Sequence, residues 1–219
     1  MLEFKKIHDP EEAATLLASA LNERLVHGKR VLWLVSGGSA VRCAAEAQRL
    51  LAHTSHGLIV MQVDERFGPP GHPDSNWQKL LDAGFSLRGV KCYPVLAGAG
   101  LQETVDRYEE RLAAELAAAD EVVALLGVGA DGHTAGILPD SPAVTATSLV
   151  KAYRGPDFER ITLTPPALKR ITWALVYAVS PDKQEVLHSL QHSAPVAKQP
   201  MQLLKSIPHV VVCNTELES

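Results

Sequence analysis

The chain is punctuated by near-continuous apolar runs, and these constrain its fold more than any other feature. RVLWLVS (residues 30–36), LIVMQVDE (58–65), EVVALLG (121–127), ITWALVYAV (171–179) and HVVVCN (209–214) read as strands, with RITLT (160–164) a further one. Between them lie segments patterned for helix. In the first, DPEEAATLLASALNERLVHG, Asp9 is placed to cap, Pro10 takes the first helical position, acidic residues fill the first turn and Gly28 closes the end. Further helices are expected over residues 39–52, from Asp74 or Ser75, over 102–119 and from Pro181. Apolar strands that alternate with helices form a mostly parallel sheet covered on both faces. The expected class is therefore α/β, with the first strand near residue 30.

Composition narrows the partners. A length of 219 residues suits one large domain spanning 1–219 better than two small ones. The net charge of −4 lacks the basic excess of a nucleic-acid footprint, while a few local cations can still hold a small anion. Cys43, Cys92 and Cys213 are far apart and odd in number, which argues against a disulfide framework or a zinc ribbon and for a reducing, cytoplasmic setting. No run approaches the roughly 20 apolar residues that cross a bilayer, so no membrane partner is expected. The N-terminal MLEFKKIHDPEE lacks the apolar core of a signal peptide.

In parallel sheets ligands sit outside the carboxyl ends of the strands. Three of these strands run into glycine-bearing polar loops: SGGSA (36–40), DERFGPPGHPDSN (64–76) and GVGADGHTAG (127–136). The last contains Gly-x-Gly-x-x-Gly at Gly127, Gly129 and Gly132, the form of a dinucleotide fingerprint. That reading fails, because Pro139 cuts the following helix to about two turns and Asp131 would repel a pyrophosphate. What the loop offers is Asp131 and His133 between flexible glycines, a proton-transfer pair beside close backbone. A helix-capping Asp131 and a solvated His133 are the plainer alternative. Ser36, Gly37, Gly38 and Ser39 place free N–H groups at a helix start, which suits an anion as well as a tight turn. Arg66 can meet a phosphate or carboxylate bidentately, and Lys183 can reach a phosphate as a point charge. His53 and His56 carry a weak metal spacing, and His72 reads as exposed.

Together these pieces resemble the 6-phosphogluconolactonase family, within a group of sugar-phosphate enzymes that includes glucosamine-6-phosphate deaminase. The resemblance rests on SGGS (36–39), DER (64–66), DSN (74–76), GVGADGHTA (127–135), RITLT (160–164) and Lys183, and spans nearly the whole chain. It implies a three-layer α/β/α sandwich with a mostly parallel, Rossmann-like sheet. It further implies hydrolysis of 6-phosphoglucono-δ-lactone to 6-phosphogluconate in the oxidative pentose phosphate pathway, with no cofactor and no catalytic metal. By motif, His133 is the expected general base, with Asp131 beside it to bind or orient. Ser36, Gly37, Gly38, Ser39, Asp64, Arg66, Asn76, Gly129, Gly132, Arg160 and Lys183 are the expected substrate contacts, and the partner is a small sugar-phosphate lactone met by a monomer or small homo-oligomer.

Two positions depart from the family pattern. The usual Thr-Pro after the first loop is Ala40-Val41, which removes a hydroxyl near the expected phosphate, and the usual Gly before the lysine is Ser180-Pro181. The deaminase is the nearest rival. It carries a glutamate five residues after the histidine, where this chain has Leu138, and a tyrosine where this chain has Arg66. A sugar-phosphate sensor domain would carry a DNA-binding helical module ahead of the first strand, for which a strand beginning near residue 30 leaves no room.

Overall fold

The computed structural model describes residues 1–51, 57–87 and 89–216. Strands and helices follow one another as β1 (Leu2–Lys6), α1 (Pro10–Val26), β2 (Val31–Val35), α2 (Val41–Arg49), β3 (Leu58–Gln62), β4 (Asp64–Arg66), α3 (Asn76–Asp82), β5 (Lys91–Tyr93), α4 (Leu101–Ala118), β6 (Glu121–Gly127), β7 (Val150–Arg154), β8 (Glu159–Leu163), α5 (Pro165–Leu168), β9 (Trp173–Tyr177), α6 (Gln184–Leu190) and β10 (His209–Asn214). Seven strands form an all-parallel sheet in the order β1-β10-β9-β6-β2-β3-β5. The other three, β4-β8-β7, form a small antiparallel sheet.

The three layers follow from side-chain alternation along the central strands. In β2, Val31, Trp33 and Val35 join a core with α1, α2 and Leu80 of α3, whereas Leu32 and Leu34 join the core under α4, α5 and α6. Both faces are apolar, so the strands read as continuous runs rather than alternating ones. Helix α1 begins as its sequence dictates: the Asp9 carboxylate accepts from the Glu12 N–H at 3.0 Å, and Gly28 at φ 71° ends the helix.

The structure corrects three expectations. First, the chain opens with β1 on the sheet edge, ahead of the strand expected near residue 30. Second, the run over residues 58–65 is not one strand. Val63 donates to the Val35 carbonyl in the large sheet and accepts from the Leu163 N–H of β8, both at 2.9 Å, and Asp64–Arg66 then continue in the small sheet. Third, no helix follows His133. Ala135 and Gly136 adopt φ of 54° and 71°, which a right-handed helix does not accommodate, and the segment folds into turns bridged at Thr134. A helix cap at Asp131 is thereby removed. His53 and His56 lie outside the described residues.

From β2 the chain passes to β3 on one side, and from β6 it passes through the small sheet to β9 on the other. The adjacent ends of β2 and β6 are thus a switch point, where an α/β sheet opens a crevice beyond its strand tips.

Candidate active site

At that switch point lies a crevice of about 180 Å³, lined by Ser36, Gly37, Gly38 and Ser39 after β2, by Asp64 and Arg66 of β4, by Asn76, and by Gly127, Val128, Gly129, His133, Ala135 and Gly136 after β6, with Arg160 of β8 and Lys183 ahead of α6. Three cations face one acid, Asp64, so the lining carries positive charge although the whole chain is acidic. Gly132, expected in contact with substrate, and Asp131, expected beside the base to bind or orient, are not among the lining residues.

The Asp131 and His133 side chains meet directly. Asp131 Oδ1 lies 2.6 Å from His133 Nδ1 and accepts from the His133 backbone N–H at 3.1 Å. Burial works to raise the Asp131 carboxyl, but the bonds from the His133 N–H and ring outweigh it and hold its pKa below the ordinary value. An ionised carboxylate only accepts, so the proton of the neutral ring belongs on Nδ1 and the lone pair on Nε2. The backbone makes this pairing possible at Gly129, where a Cβ would fall 2.0 Å from His133 Nδ1 and 2.4 Å from Asp131 Oδ1. Gly132, at φ 82°, turns the loop and is fixed from behind, its carbonyl accepting from the Met201 N–H at 2.9 Å.

Strand β4 delivers its side chains by period two. Asp64 and Arg66 turn to the crevice, and Glu65 between them is fully buried. The Glu65 carboxylate accepts from the backbone N–H groups of Arg66 (2.8 Å), Asn76 (2.6 Å) and Trp77 (3.0 Å), from Ser75 Oγ (2.9 Å) and from Gln62 Nε2 (2.8 Å). It thereby satisfies the first N–H groups of α3 and sets where Asn76 stands. Asn76 Nδ2 donates to the Asp64 carbonyl at 3.0 Å and to its Oδ2 at 3.1 Å. The fit requires Gly37, because a Cβ there would lie 2.0 Å from Asn76 Oδ1. Glu65 was legible as an acid at a strand end, but its structural role was not.

Removal from water pushes the Asp64 carboxyl above the usual carboxylate range, with Glu65 adding to the rise and Arg66, Arg160 and His133 opposing it. Arg66 Nη1 donates to the Asp74 carbonyl at 3.1 Å. Lys183 closes the short 3-10 turn Pro181–Lys183, and its ammonium lies 3.2 Å from Asp182. Among the buried side-chain polar atoms without a hydrogen-bond partner in the described residues are Ser36 Oγ, Arg66 Nε, Asn76 Oδ1 and Arg160 Nε. All four belong to residues of this one crevice. Buried polar groups are mostly paired in folded proteins. Arg24 Nε, Arg30 Nε, Trp33 Nε1 and Ser141 Oγ are unpartnered elsewhere, but only this crevice gathers four such atoms among the described residues, the pattern of a place for a polar ligand.

A larger cavity, about 650 Å³, adjoins Ser39 on the side of α1, α2 and α3. Its charged lining is Glu11, Glu46 and Asp82 against Arg42 and Arg49, and Arg49 already pairs with Glu46. It gathers no excess of cations, whereas the smaller crevice brings together His133, two arginines and a lysine. No group of three or more metal-ligating side chains occurs among the described residues, and no helix there is long and apolar enough to cross a membrane.

Comparison with known proteins gives this geometry a family. Residues 9–212 match the family described as glucosamine-6-phosphate isomerases/6-phosphogluconolactonase. The 6-phosphogluconolactonase of Treponema pallidum is 30% identical over 214 residues, covering 88% of this chain and 85% of the relative. That of Mycobacterium tuberculosis is 30% identical over 192 residues, covering 74% and 76%. The crystal structure of 6-phosphogluconolactonase from Thermotoga maritima superposes with a TM-score of 0.82 at 19% identity, covering 98% of this chain and 99% of that one. A monomeric glucosamine-6-phosphate deaminase superposes with a TM-score of 0.77 at 16% identity, over 97% and 96%. These structural likenesses show the shared fold. The chain belongs to the glucosamine-6-phosphate isomerase/6-phosphogluconolactonase family.

Proposed function

We propose that the protein hydrolyses 6-phospho-D-glucono-1,5-lactone to 6-phospho-D-gluconate, with His133 as the general base. The reading is carried by one observation: the Asp131-oriented imidazole of His133 opens on a crevice whose arginine and lysine side chains outnumber its single acid. Named relatives that are 6-phosphogluconolactonases support the substrate.

A lactone is an activated ester, so water needs a base but no covalent nucleophile. His133 Nε2 takes the proton of a water as its oxygen attacks the lactone carbonyl. The tetrahedral oxyanion takes its hydrogen bonds from N–H groups of the loop after β6; that of Gly129 is not one of them, since it donates to the His133 carbonyl at 2.9 Å. Collapse breaks the bond from C1 to the ring oxygen, and the imidazolium returns its proton to that oxygen. Asp131 stabilises the imidazolium without itself taking the proton. Base assistance of this kind supplies roughly 10²–10⁴-fold and an oriented oxyanion donor a further ~10²–10³-fold. Arg66, Arg160, Lys183 and the N–H groups of residues 37–39 hold the phosphoryl tail, the Ser36 N–H being taken by the Leu125 carbonyl at 3.1 Å, and Asp64, Asn76 and the Ser36 hydroxyl meet the sugar hydroxyls. Gly132 contributes through the loop's shape. The proposed setting is the cytoplasm, where the three unpaired cysteines are at home, with the chain acting as a monomer or small homo-oligomer.

The deaminase reading lacks its acid: Leu138 packs against the core and offers no carboxylate. The test offers the purified protein 6-phosphogluconolactone and glucosamine 6-phosphate, following acid and ammonia release. Acid from the lactone alone is expected, falling by about 10²-fold or more in His133→Ala with the melting temperature kept. Ammonia release, or a His133→Ala variant as fast as the parent, overturns the assignment.

A further inference from the structure

Arg66 and Arg160 stand directly opposite each other in the antiparallel pair β4–β8. Like charges in that position repel, and a carboxylate between them would be the simplest remedy. It would also occupy their donors. Instead the chain places the ring of Phe158 against both: the Arg66 Cζ lies 5.5 Å and the Arg160 Cζ 5.9 Å from its centroid. The electron-rich face attracts both cations without neutralising either, so apart from the Arg66 Nη1 bond to the Asp74 carbonyl their N–H groups stay available. Both Nε atoms are indeed buried without a partner.

The turn between β7 and β8 is shaped for this. Gly155 N–H donates to the Phe158 carbonyl at 2.8 Å, which folds the ring back over the strands. A Cβ on Gly155 would come within 2.9 Å of Arg160 Nε, so glycine leaves that guanidinium its place.

We propose that Phe158 is a positioning residue that holds Arg66 and Arg160 as one fork for a dianion, and so selects a phosphorylated lactone over the same lactone without phosphate. This rests on the hydrolase reading above and adds to it the origin of its preference. The aromatic face is the operative property, and apolar bulk alone does not replace it.

The experiment compares the parent with Phe158→Leu and Phe158→Tyr. Steady-state kinetics are taken on 6-phosphogluconolactone and on unphosphorylated gluconolactone, with calorimetric titration of inorganic phosphate and 6-phosphogluconate. In Phe158→Leu, the KM for the phosphorylated lactone and both dissociation constants rise about tenfold, while kcat changes less than about twofold. The kcat/KM for the unphosphorylated lactone also stays within about twofold, and Phe158→Tyr behaves as the parent. Parent-like phosphate binding by Phe158→Leu, or equal loss on both lactones, overturns the proposal. Phe158→Met, read in the same way, stands in for a leucine variant that does not fold. If the parent hydrolyses neither lactone, the hydrolase reading fails, and the phosphate titrations still decide the role of Phe158.

Discussion

The imidazole of His133 is held by one carboxylate and one missing side chain. Asp131 fixes the ring tautomer, and Gly129 leaves the space in which the two meet. The pKa of Asp131 is lowered in the fold, so its stabilising contribution is fully present above its unfolded value of about 3.9 and is lost as the pH falls through the lower folded value. About half of its side chain is exposed, and solvent screening limits that contribution to about 1 kcal/mol or less. Asp131→Asn is therefore expected to be slightly less stable than the parent at pH 7, with the difference shrinking as the pH falls below about 3.9, as read from urea unfolding across that range. Under the proposed mechanism its lactone hydrolysis falls much further, by roughly 10²-fold, because the ring loses the partner that fixes Nε2 as the proposed base. At this scale the sequence was informative. Asp131, His133, Arg66 and Ser36–Ser39 each follow an apolar run, and a residue at the tip of a buried strand has few places to go.

Secondary-structure elements were legible in proportion to their burial. Strands β2, β3, β6, β9 and β10 lie inside the large sheet, have a covered face on each side, and announce themselves as apolar runs. Strands β1, β5 and β7 each lie on an edge of their sheet and carry Lys, Glu or Arg among their few residues, as exposed edges do. Their pattern is that of a loop, and they passed unseen. The break at Val63 was hidden for a different reason: both sides of it are strand, and only pairing partners far along the chain distinguish them. Glu65 belongs with that break. Its carboxylate is the common acceptor for strand β4, Ser75 and the start of α3, so Glu65→Ala strands several buried donors at once. A loss of at least about 3 kcal/mol in urea unfolding is expected, more than either Asp64→Ala or Asn76→Ala produces.

Across the whole molecule, the three thiols, side chains outside the crevice that could act as nucleophiles, are held unreactive by burial. Burial pushes Cys43 and Cys213 up to about 12 and Cys92 up to about 11. At pH 8 each is ionised at roughly one part in a thousand or less, against a fifth or more in an unfolded chain. A thiol reagent is expected to label the native protein slowly and leave hydrolysis intact, and to label all three cysteines rapidly in denaturant. Fast loss of activity on native labelling would contradict the burial described. A last consequence follows from Val63, the residue whose backbone is stitched to both sheets. Because alternate residues of β4 point opposite ways, adding one amino acid between Val63 and Asp64 would turn the guanidinium inward and the buried acid outward. At this seam the spacing is therefore counted to the single residue, and an insertion there would put a carboxylate where the crevice now has a guanidinium.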